Sequence, residues 1–396
     1  MIICDDIDNQ KKIKEDAMSI PVYLVLNSGG RRDCPVKVFS VFPDIHTRSL
    51  HKVIKLPSQE FPKGSSFEEQ AKMILPKLEE TLPKYGIDDP AYLEGVFFRC
   101  PALRESVKGP TLVDSVMVAE MRSGRALMLK HGSEIAFWLA HLISEKYGIK
   151  AIFSRGIPTD DMPQYSKMTG HPDITFNLLS HREAVEGTAV INQKRNPNLD
   201  SFVLVMLGSA FGVYAWENGK IVNGLVRHNK GPMSTTSIGG IDALTLLDYF
   251  LKKKIKKTID VRKEISFLSG KGGGLQLYNP QWVSFLEFMN SYKDNDPLAK
   301  ELFSALMFQL SEDMGAARFS MQETGLSQAV PVYFYGGCAR EQILISSIVD
   351  RCECPLFSGF HNLEDNEGRD PEMEFFISEI EKFHYEIEIA SFYSEL

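Results

Sequence analysis

Three short turns rich in glycine and serine are the parts of this sequence best suited to chemistry. Residues 27–30 (Asn-Ser-Gly-Gly), 207–210 (Leu-Gly-Ser-Ala) and 336–337 (Gly-Gly) each follow a short apolar run. A turn without bulky Cβ groups lets backbone N–H groups approach phosphate oxygens closely. The third turn also precedes a predicted helix, whose first N–H groups suit an anion. Each turn alone fits an ordinary hairpin, but the three together indicate a nucleotide-binding protein.

The elements around the first two turns follow one plan. In residues 22–42, and again in 202–226, an apolar strand leads through a tight turn into an antiparallel return strand. A further strand in the second copy follows Asn218-Gly219, a dipeptide typical of two-residue hairpins. The sequence therefore predicts an internal duplication.

Helices and strands alternate through the rest of the chain, as in α/β folds. The predicted helices are 66–85 (with a capping-box opening and an interruption at Pro76), 132–147, 180–189, 242–254, 297–322 and one from 341 on, and the predicted strands are 149–153 and 331–335. Ile377, Ile380, Phe383 and Ile387 predict a C-terminal helix docked on the first domain.

Composition excludes several classes of protein. The 396 residues are 43% hydrophobic and 24% charged, which is typical of globular proteins. The net charge is −8, and residues 361–396 hold eleven acidic and two basic side chains, so no basic face for nucleic acid is expected. No apolar run is long enough to span a membrane, no secretory leader is recognisable, and six dispersed cysteines read as free thiols. A cytoplasmic protein is expected.

The order and spacing of the motifs resemble the butyrate kinase branch of the acetate, propionate and butyrate kinases, within the actin, hexokinase and Hsp70-like ATPase superfamily. The motifs that carry the resemblance are 27–30, 98–100, 157–162, 168–174, 207–210, 231–234 with 239–240, 269–273 and 335–339. The resemblance implies an α/β fold of two duplicated ribonuclease H-like domains, each a mixed five-stranded sheet with helices, flanking a nucleotide cleft. It implies a first domain of residues 1–190 and 363–396, on the carboxylate side, and a second of residues 191–362 with the adenosine site.

The resemblance also implies roles for single residues. ATP would donate its γ-phosphoryl group to a carboxylate, with Mg²⁺ bridging the phosphates. Arg99 stands at the position of a substrate-side arginine, and Asp160 stands beside the carboxylate and the metal, with Asp161 as its alternative if the register shifts by one. Asn27 is the second residue expected near Mg²⁺. The nucleotide-binding residues implied are Asn27, Gly29, Gly208, Ser209, Asn279, Gly336, Gly337 and Arg340.

The chain departs from the family pattern where chemistry is expected. The family loop Gly-Pro-Phe-Ser-Pro-Glu-Arg-Ser-Gly-Gly corresponds to residues 231–240, which read Gly-Pro-Met-Ser-Thr-Thr-Ser-Ile-Gly-Gly, so a catalytic arginine falls on Ser237. Such an arginine is worth about 10³ to 10⁵ in phosphoryl-transfer rate. Met206 replaces a family histidine, and Trp282 stands near the adenine loop, either over a base or in the core. The missing charge could come from Arg31, Arg32, Arg155, Arg227 or Arg340.

Three functions remain open at this point. The first is an ATP-dependent carboxylate kinase, a phosphotransferase with a carboxyl acceptor, acting on a short or branched fatty acid. The second is a catalytically degenerate homologue that binds a nucleotide or an acyl phosphate as a sensor or assembly subunit. The third, a sugar kinase or exopolyphosphatase-like protein, fits the 231–240 loop least well. The expected partners are a small carboxylate, a nucleotide and, because relatives are commonly homo-oligomeric, further copies of the chain.

Overall fold

A computed structural model describes most of the chain. The described residues are 22–27, 37–41, 50–55, 61–62, 64–85, 87–99, 110–123, 134–154, 162–168, 181–226, 231–255, 257–268, 273–363 and 370–394. The contacts divide the chain into two compact units, Met1–Ile157 with Phe376–Leu396 and Pro158–Phe375. Each unit is built around its own mixed sheet.

The first unit contains a sheet of six described strands. These are β1 (Val22–Asn27), β2 (Lys37–Val41), β3 (Leu50–Lys55), β4 (Leu93–Phe98), β5 (Thr111–Leu112) and β6 (Lys150–Phe153), in the spatial order β3-β2-β1-β4-β6-β5. β1 pairs antiparallel with β2 and parallel with β4, and β4 pairs parallel with β6. The predicted five strands form the body of the sheet, and the two-residue β5 adds an antiparallel edge.

The sheet of the second unit repeats this plan. Its strands are β7 (Ser201–Leu207), β8 (Phe211–Glu217), β9 (Lys220–Val226), β10 (Val330–Tyr335) and β11 (Phe357–Asn362), in the order β11-β10-β7-β8-β9. β7, β8 and β9 are successive antiparallel neighbours, whereas β10 lies parallel to both β7 and β11. This is the order and direction of β1, β2, β3, β4 and β6. The predicted α/β fold and its internal duplication are therefore confirmed.

Helices connect the strands and cover the sheets. They are α1 (Phe67–Thr81), α2 (Ser115–Ser123), α3 (Glu134–Tyr147), α4 (Gln164–Lys167), α5 (Arg182–Arg195), α6 (Ala243–Lys252), α7 (Thr258–Leu268), α8 (Leu275–Tyr278), α9 (Phe285–Lys293), α10 (Pro297–Phe319), α11 (Gln342–Cys352) and α12 (Pro371–Ser394), with 3₁₀ turns at Leu82–Tyr85, Pro90–Tyr92 and Gly337–Arg340. Among the described residues, no helix is both long and apolar enough to cross a membrane.

Local sequence signals set several of these boundaries. Ser66 and Glu69 form the predicted capping box at the start of α1. The Ser66 hydroxyl accepts a hydrogen bond from the N–H of Glu69, and the Glu69 carboxylate accepts one from the N–H of Ser66. Gly148, with φ of +70°, follows the end of α3 as predicted. The predicted interruption at Pro76 is wrong. Its side chain is exposed, and α1 continues to Thr81.

Successive residues of β7 contribute alternately to two hydrophobic clusters in the second unit. Val203, Val205 and Leu207 of β7 pack in the cluster that contains the buried face of α10. Phe202 and Leu204 point to the opposite cluster, which contains residues of α5. Because both faces of β7 are covered, the strand is apolar along its length, as buried strands are.

The contact-defined units differ from the sequence-based domains in their boundaries. The units change at 157/158 and at 375/376, whereas the sequence analysis divides the chain at 190/191 and 362/363. The reason is that α5 packs against β7 and β8, so it groups with the second sheet. In the first unit, Phe383 of α12 packs edge-on against Phe97, with 5.8 Å between ring centroids. The division into functional domains stays a prediction.

Candidate functional site

The second small-residue turn joins two strands that are buried along their whole length. Every residue of β7 and β8 is buried, and Leu207 pairs with Phe211 across the hairpin. Between them lie Gly208 and Ser209, which are half-buried, and Ala210, which is buried. Since the core fixes both flanking strands, the backbone of this turn has a defined position at the carboxyl end of β7.

The Gly-Gly turn after β10 packs directly onto this hairpin. Gly336 has φ of +109°, and a Cβ built there would lie 2.7 Å from the carbonyl oxygen of Leu207 and 3.0 Å from the nitrogen of Gly208. The pairing of Tyr335 with Met206 brings both turns to the same edge of the sheet. Glycine is required here for its conformation and for the close approach of the two backbones. The predicted residues Gly208 and Gly336 are thus brought together.

The remaining predicted residues of this turn follow Gly336 directly. Gly337 and Arg340 bound the 3₁₀ turn, and Arg340 is exposed. The side-chain amide of Asn362 donates to the carbonyl oxygen of Ala339 at 2.8 Å and so ties the turn to β11.

Three side chains donate hydrogen bonds to carbonyl oxygens of the hairpin turn. The hydroxyls of Ser234 and Thr236 both donate to the carbonyl oxygen of Ser209, each at 2.9 Å. The thiol of Cys338 donates to the carbonyl oxygen of Gly208, with 3.4 Å between sulfur and oxygen. The sequence analysis assigns no function to these three side chains. The run of hydroxyl residues in 231–240 is the signal that could have indicated Ser234 and Thr236.

Ser237, at the position of the missing arginine, lies inside a closed turn. Its side chain is fully buried, and its carbonyl oxygen accepts the N–H of Ser234 at 2.9 Å. A Cβ built on Gly274 would lie 1.9 Å from the carbonyl oxygen of Ser234 and 2.6 Å from that of Ser237. The backbone before α8 therefore presses on the turn. A side chain as long as arginine has no room at position 237 in this arrangement.

Helix α10 supports the same loop from its other side. The side-chain oxygen of Gln309 accepts the N–H of Met233 at 2.9 Å. One helical turn further on, burial raises the pKa of the Asp313 carboxyl to about 7, and the charge of Glu312 adds to the shift.

Asn279 and Trp282 have structural surroundings. The Asn279 side chain accepts the N–H of Gln281 at 3.0 Å, and its described hydrogen bonds stay within residues 275–282. Trp282 is 2% exposed, its indole N–H donates to the hydroxyl of Ser291, and its ring meets Phe288 edge-on. Trp282 therefore belongs to the core, and the hypothesis that it covers a base is wrong.

Two predicted residues of the first unit, Asn27 and Arg99, lie at the carboxyl ends of neighbouring parallel strands. Leu26 of β1 is the register partner of Phe98 of β4, so Asn27 and Arg99 come next on adjacent strands. Arg99 is buried, with 8% of its surface exposed. Ser154, which follows β6, donates through both its N–H and its hydroxyl to the carbonyl oxygen of Phe98. The carboxyl ends of β1, β4 and β6 thus meet at one edge, where ligands bind in open α/β sheets.

The remaining predicted site residues lie outside the described part of the chain. These are Gly29, Asp160 and Asp161, together with Arg31, Arg32, Arg155 and Arg227. Within the ranges that the structure describes, no group of three or more His, Cys, Asp or Glu side chains could hold a metal ion. The magnesium site and the cleft therefore stay predictions.

Known proteins are similar to this chain in sequence and in structure. A protein described as "Probable butyrate kinase" from Listeria innocua is 23% identical over 307 residues, covering 76% of this chain and 82% of the relative. The crystal structure of a propionate kinase from Francisella tularensis matches with a TM-score of 0.64 at 13% identity, over 84% of this chain and 88% of the other. The acetate kinase of Porphyromonas gingivalis matches with a TM-score of 0.61 at 15% identity, over 84% and 86%. No family model matches the chain.

The two sheets share one duplicated strand order, which is the fold class that the acetate and propionate kinase structures also have. Within that class, the sequence relatives and the structural neighbours agree on one group. The resemblance to the acetate, propionate and butyrate kinases is therefore confirmed, in sequence by the butyrate kinases and in fold by the acetate and propionate kinases.

Proposed function

We propose that the chain is an ATP-dependent carboxylate kinase of the butyrate kinase type. It would transfer the γ-phosphoryl group of ATP to a short or branched fatty acid and release an acyl phosphate. The observation that carries the proposal is the turn at Gly208 and Ser209 with Gly336 packed against it, in a chain with butyrate kinase relatives. This backbone arrangement suits a polyphosphate because it offers N–H groups without side chains in the way.

Residues of the predicted first domain, 1–190 with 363–396, would bind the acceptor. Arg99 directly follows β4, next to Asn27 at the end of β1, and would clamp the carboxylate or the transferring phosphoryl group, since a planar guanidinium matches such oxygens. Asp160, or Asp161 in the shifted register, would orient the carboxylate, and with Asn27 would face the metal. ATP supplies the phosphoryl group, and Mg²⁺ would neutralise charge on its oxygens.

The missing arginine is the main difficulty for this proposal. Ser237 is fully buried in a closed turn, so the residue at this position supplies no positive charge. Of the five arginines proposed as replacements, Arg340 lies in the described residues and is exposed directly after the Gly336 turn. We therefore propose Arg340 as the first candidate to supply charge at the phosphates.

The closed turn at Ser237 also favours a second candidate function. A homologue that binds a nucleotide or an acyl phosphate without transferring phosphate would keep the glycine turns and lose the arginine. Such a protein would act as a sensor or an assembly subunit. Family membership alone supports both candidates equally.

One assay separates the two. The purified full chain is mixed with ATP, Mg²⁺, a panel of short and branched carboxylates, and hydroxylamine, which traps acyl phosphates as hydroxamates. The kinase produces hydroxamate with at least one acid, and Arg99→Lys reduces it about 100-fold because the bidentate fork is lost. Calorimetric binding of ATP with no hydroxamate from any acid would favour the binding protein. Neither activity nor ATP binding would remove both candidates.

A cytoplasmic location and a homo-oligomeric state complete the proposal. Fractionation and light scattering of the full chain test both.

A further inference from the structure

The two hydroxyls behind the hairpin fix the orientation of one peptide group. Ser234 and Thr236 both donate to the carbonyl oxygen of Ser209. In a trans peptide the carbonyl and the N–H of the next residue point in opposite directions. Because the carbonyl of Ser209 is held toward residues 231–240, the N–H of Ala210 is directed away from that loop.

The thiol of Cys338 fixes the preceding peptide group in the same way. It donates to the carbonyl oxygen of Gly208 from the turn that follows Gly336. The N–H of Ser209, which belongs to the same peptide, is therefore directed away from that turn. Among the residues that the structure describes, none accepts a backbone hydrogen bond from Ser209 or Ala210. The successive N–H groups of Ser209 and Ala210 thus point away from the side chains that hold the turn and are available to a ligand.

We infer that Ser234, Thr236 and Cys338 are positioning residues, which hold the carbonyls of Gly208 and Ser209 so that the next two N–H groups meet a phosphate oxygen of the bound nucleotide. The inference rests on the proposed function only in its nucleotide binding, not in its phosphoryl transfer. The three side chains act through the backbone and do not touch the ligand themselves.

The composition of the loop supports this role. Thr236 stands where the family pattern has glutamate, and Ser237 stands where it has arginine. Ser234 is fully buried and Thr236 is 8% exposed, so neither residue is a solvent-exposed surface group. Thr235 differs from both, because its hydroxyl is buried and has no hydrogen-bond partner among the described residues. In this chain the loop has therefore exchanged charged side chains for neutral ones that support the turn.

The experiment compares the affinities of the full chain for ATP with Mg²⁺ and for adenosine by calorimetry. The double variant Ser234→Ala with Thr236→Val is expected to weaken ATP binding about tenfold, since the loss of one well-aimed donor is worth about one decade. Adenosine binding should not change, because adenosine lacks phosphate. A purely structural role would weaken both ligands together.

Matched variants keep the test decisive. Thr235→Val removes a hydroxyl from the same turn and should leave both affinities unchanged, whereas Thr236→Ser and Ser234→Thr keep the donors and should retain ATP binding. If the double variant does not fold, the isosteric Thr236→Val alone should still weaken ATP binding by a few-fold. Equal loss for adenosine, or no loss for ATP, would overturn the inference. Wild-type chain that binds ATP but makes no hydroxamate would remove the kinase and leave the inference standing, whereas wild-type chain that binds no ATP would end both.

Discussion

The two ends of the second sheet are stabilised by different chemistry. At the end away from the glycine turns, Arg318 is fully buried and donates to the carbonyl oxygens of Gly325, Gln328 and Leu356 at 2.6, 2.6 and 3.3 Å. The carboxylate of Glu217, also fully buried, accepts the N–H groups of residues 322 and 324. At the glycine-turn end, the buried polar groups are the hydroxyls of residues 234–237.

The two ends therefore differ in whether charged or neutral side chains hold the backbone. Charged groups make strong hydrogen bonds when buried, but they also fix the local field. At the distal end Arg318 and Glu217 anchor the loops that lead into β10. At the turn end, the neutral hydroxyls of Ser234 and Thr236 orient the backbone without adding charge.

Removing the charge at the distal end should have the largest effect on stability. Arg318→Ala is expected to lower the free energy of unfolding by about 3–5 kcal/mol, because three buried carbonyls lose their donor and Glu217 loses a nearby cation. Urea denaturation of the full chain measures the loss. Arg351→Ala, at an exposed position of α11, is the control and should change stability by less than about 0.5 kcal/mol. Equal effects of the two variants would mean that the distal end is not anchored by charge.

Introducing a charge at the turn end should be nearly as damaging. Ser237→Arg is expected to cost about 2–4 kcal/mol and to gain no kinase activity, since the position is fully buried beneath Gly274. Thermal unfolding and the hydroxamate assay measure the two effects. Ser304→Arg, on the exposed side of α10, is the control. Ser291→Arg is unsuitable, because the Ser291 hydroxyl accepts the indole N–H of Trp282. A stable Ser237→Arg variant with raised activity would show that the turn opens readily.

The sequence was sufficient to predict the parts of this unit that depend on local patterns. The Asn218-Gly219 turn adopts positive φ at both residues, 48° and 80°, and joins β8 to β9 as predicted. Asp242 caps α6 by accepting the N–H of Thr245, close to the predicted start of that helix. Such features depend on a few neighbouring residues, so a single sequence reveals them.

Contacts between distant segments could not be predicted in this way. The closure of the 231–240 loop depends on Gly274, about forty positions along the chain, and Gln309 contacts it from α10. Ser237 was recognisable as a departure from the family, but its burial was not. The role of Cys338 depends on the pairing of β10 with β7, which sets the Gly336 turn beside Gly208. The sequence thus predicts the glycines of the candidate site, but it does not predict the side chains that hold the glycine turns in place.

Asp313 lies on α10 between Gln309 and Arg318, and it makes the stability of the unit depend on pH. Burial raises the pKa of the Asp313 carboxyl to about 7 in the folded protein, above its ordinary value of about 3.8, so as the pH rises the carboxyl ionises first in the unfolded chain. Stability should therefore fall as pH rises from about 4 to about 7 and then level off, by roughly 2 kcal/mol after allowance for solvent at the carboxyl. Asp313→Asn should remove this decline in urea denaturation curves recorded at several pH values.

The comparison with Asp313→Asn isolates this carboxyl from other titrating groups. Burial lowers the pKa of His361, which makes stability rise with pH near neutrality and opposes the effect of Asp313. His361 is present in both proteins, so the difference between the two curves belongs to Asp313. A difference that does not vary between pH 4 and 7 would contradict the raised pKa.

The smallest expected effect distinguishes the hydroxyls of the turn end from one another. Thr235→Val should raise the free energy of unfolding by about 1 kcal/mol, because it replaces a buried hydroxyl that has no partner among the described residues by a methyl group of the same shape. Thr236→Val, one residue along, should lower stability by about 1 kcal/mol, because it leaves the carbonyl of Ser209 with one donor fewer. Thermal unfolding of the two variants side by side measures both changes. Opposite signs at adjacent, isosteric substitutions would show that hydrogen bonding to Ser209, rather than packing, stabilises this end of the sheet, whereas equal signs would show the reverse.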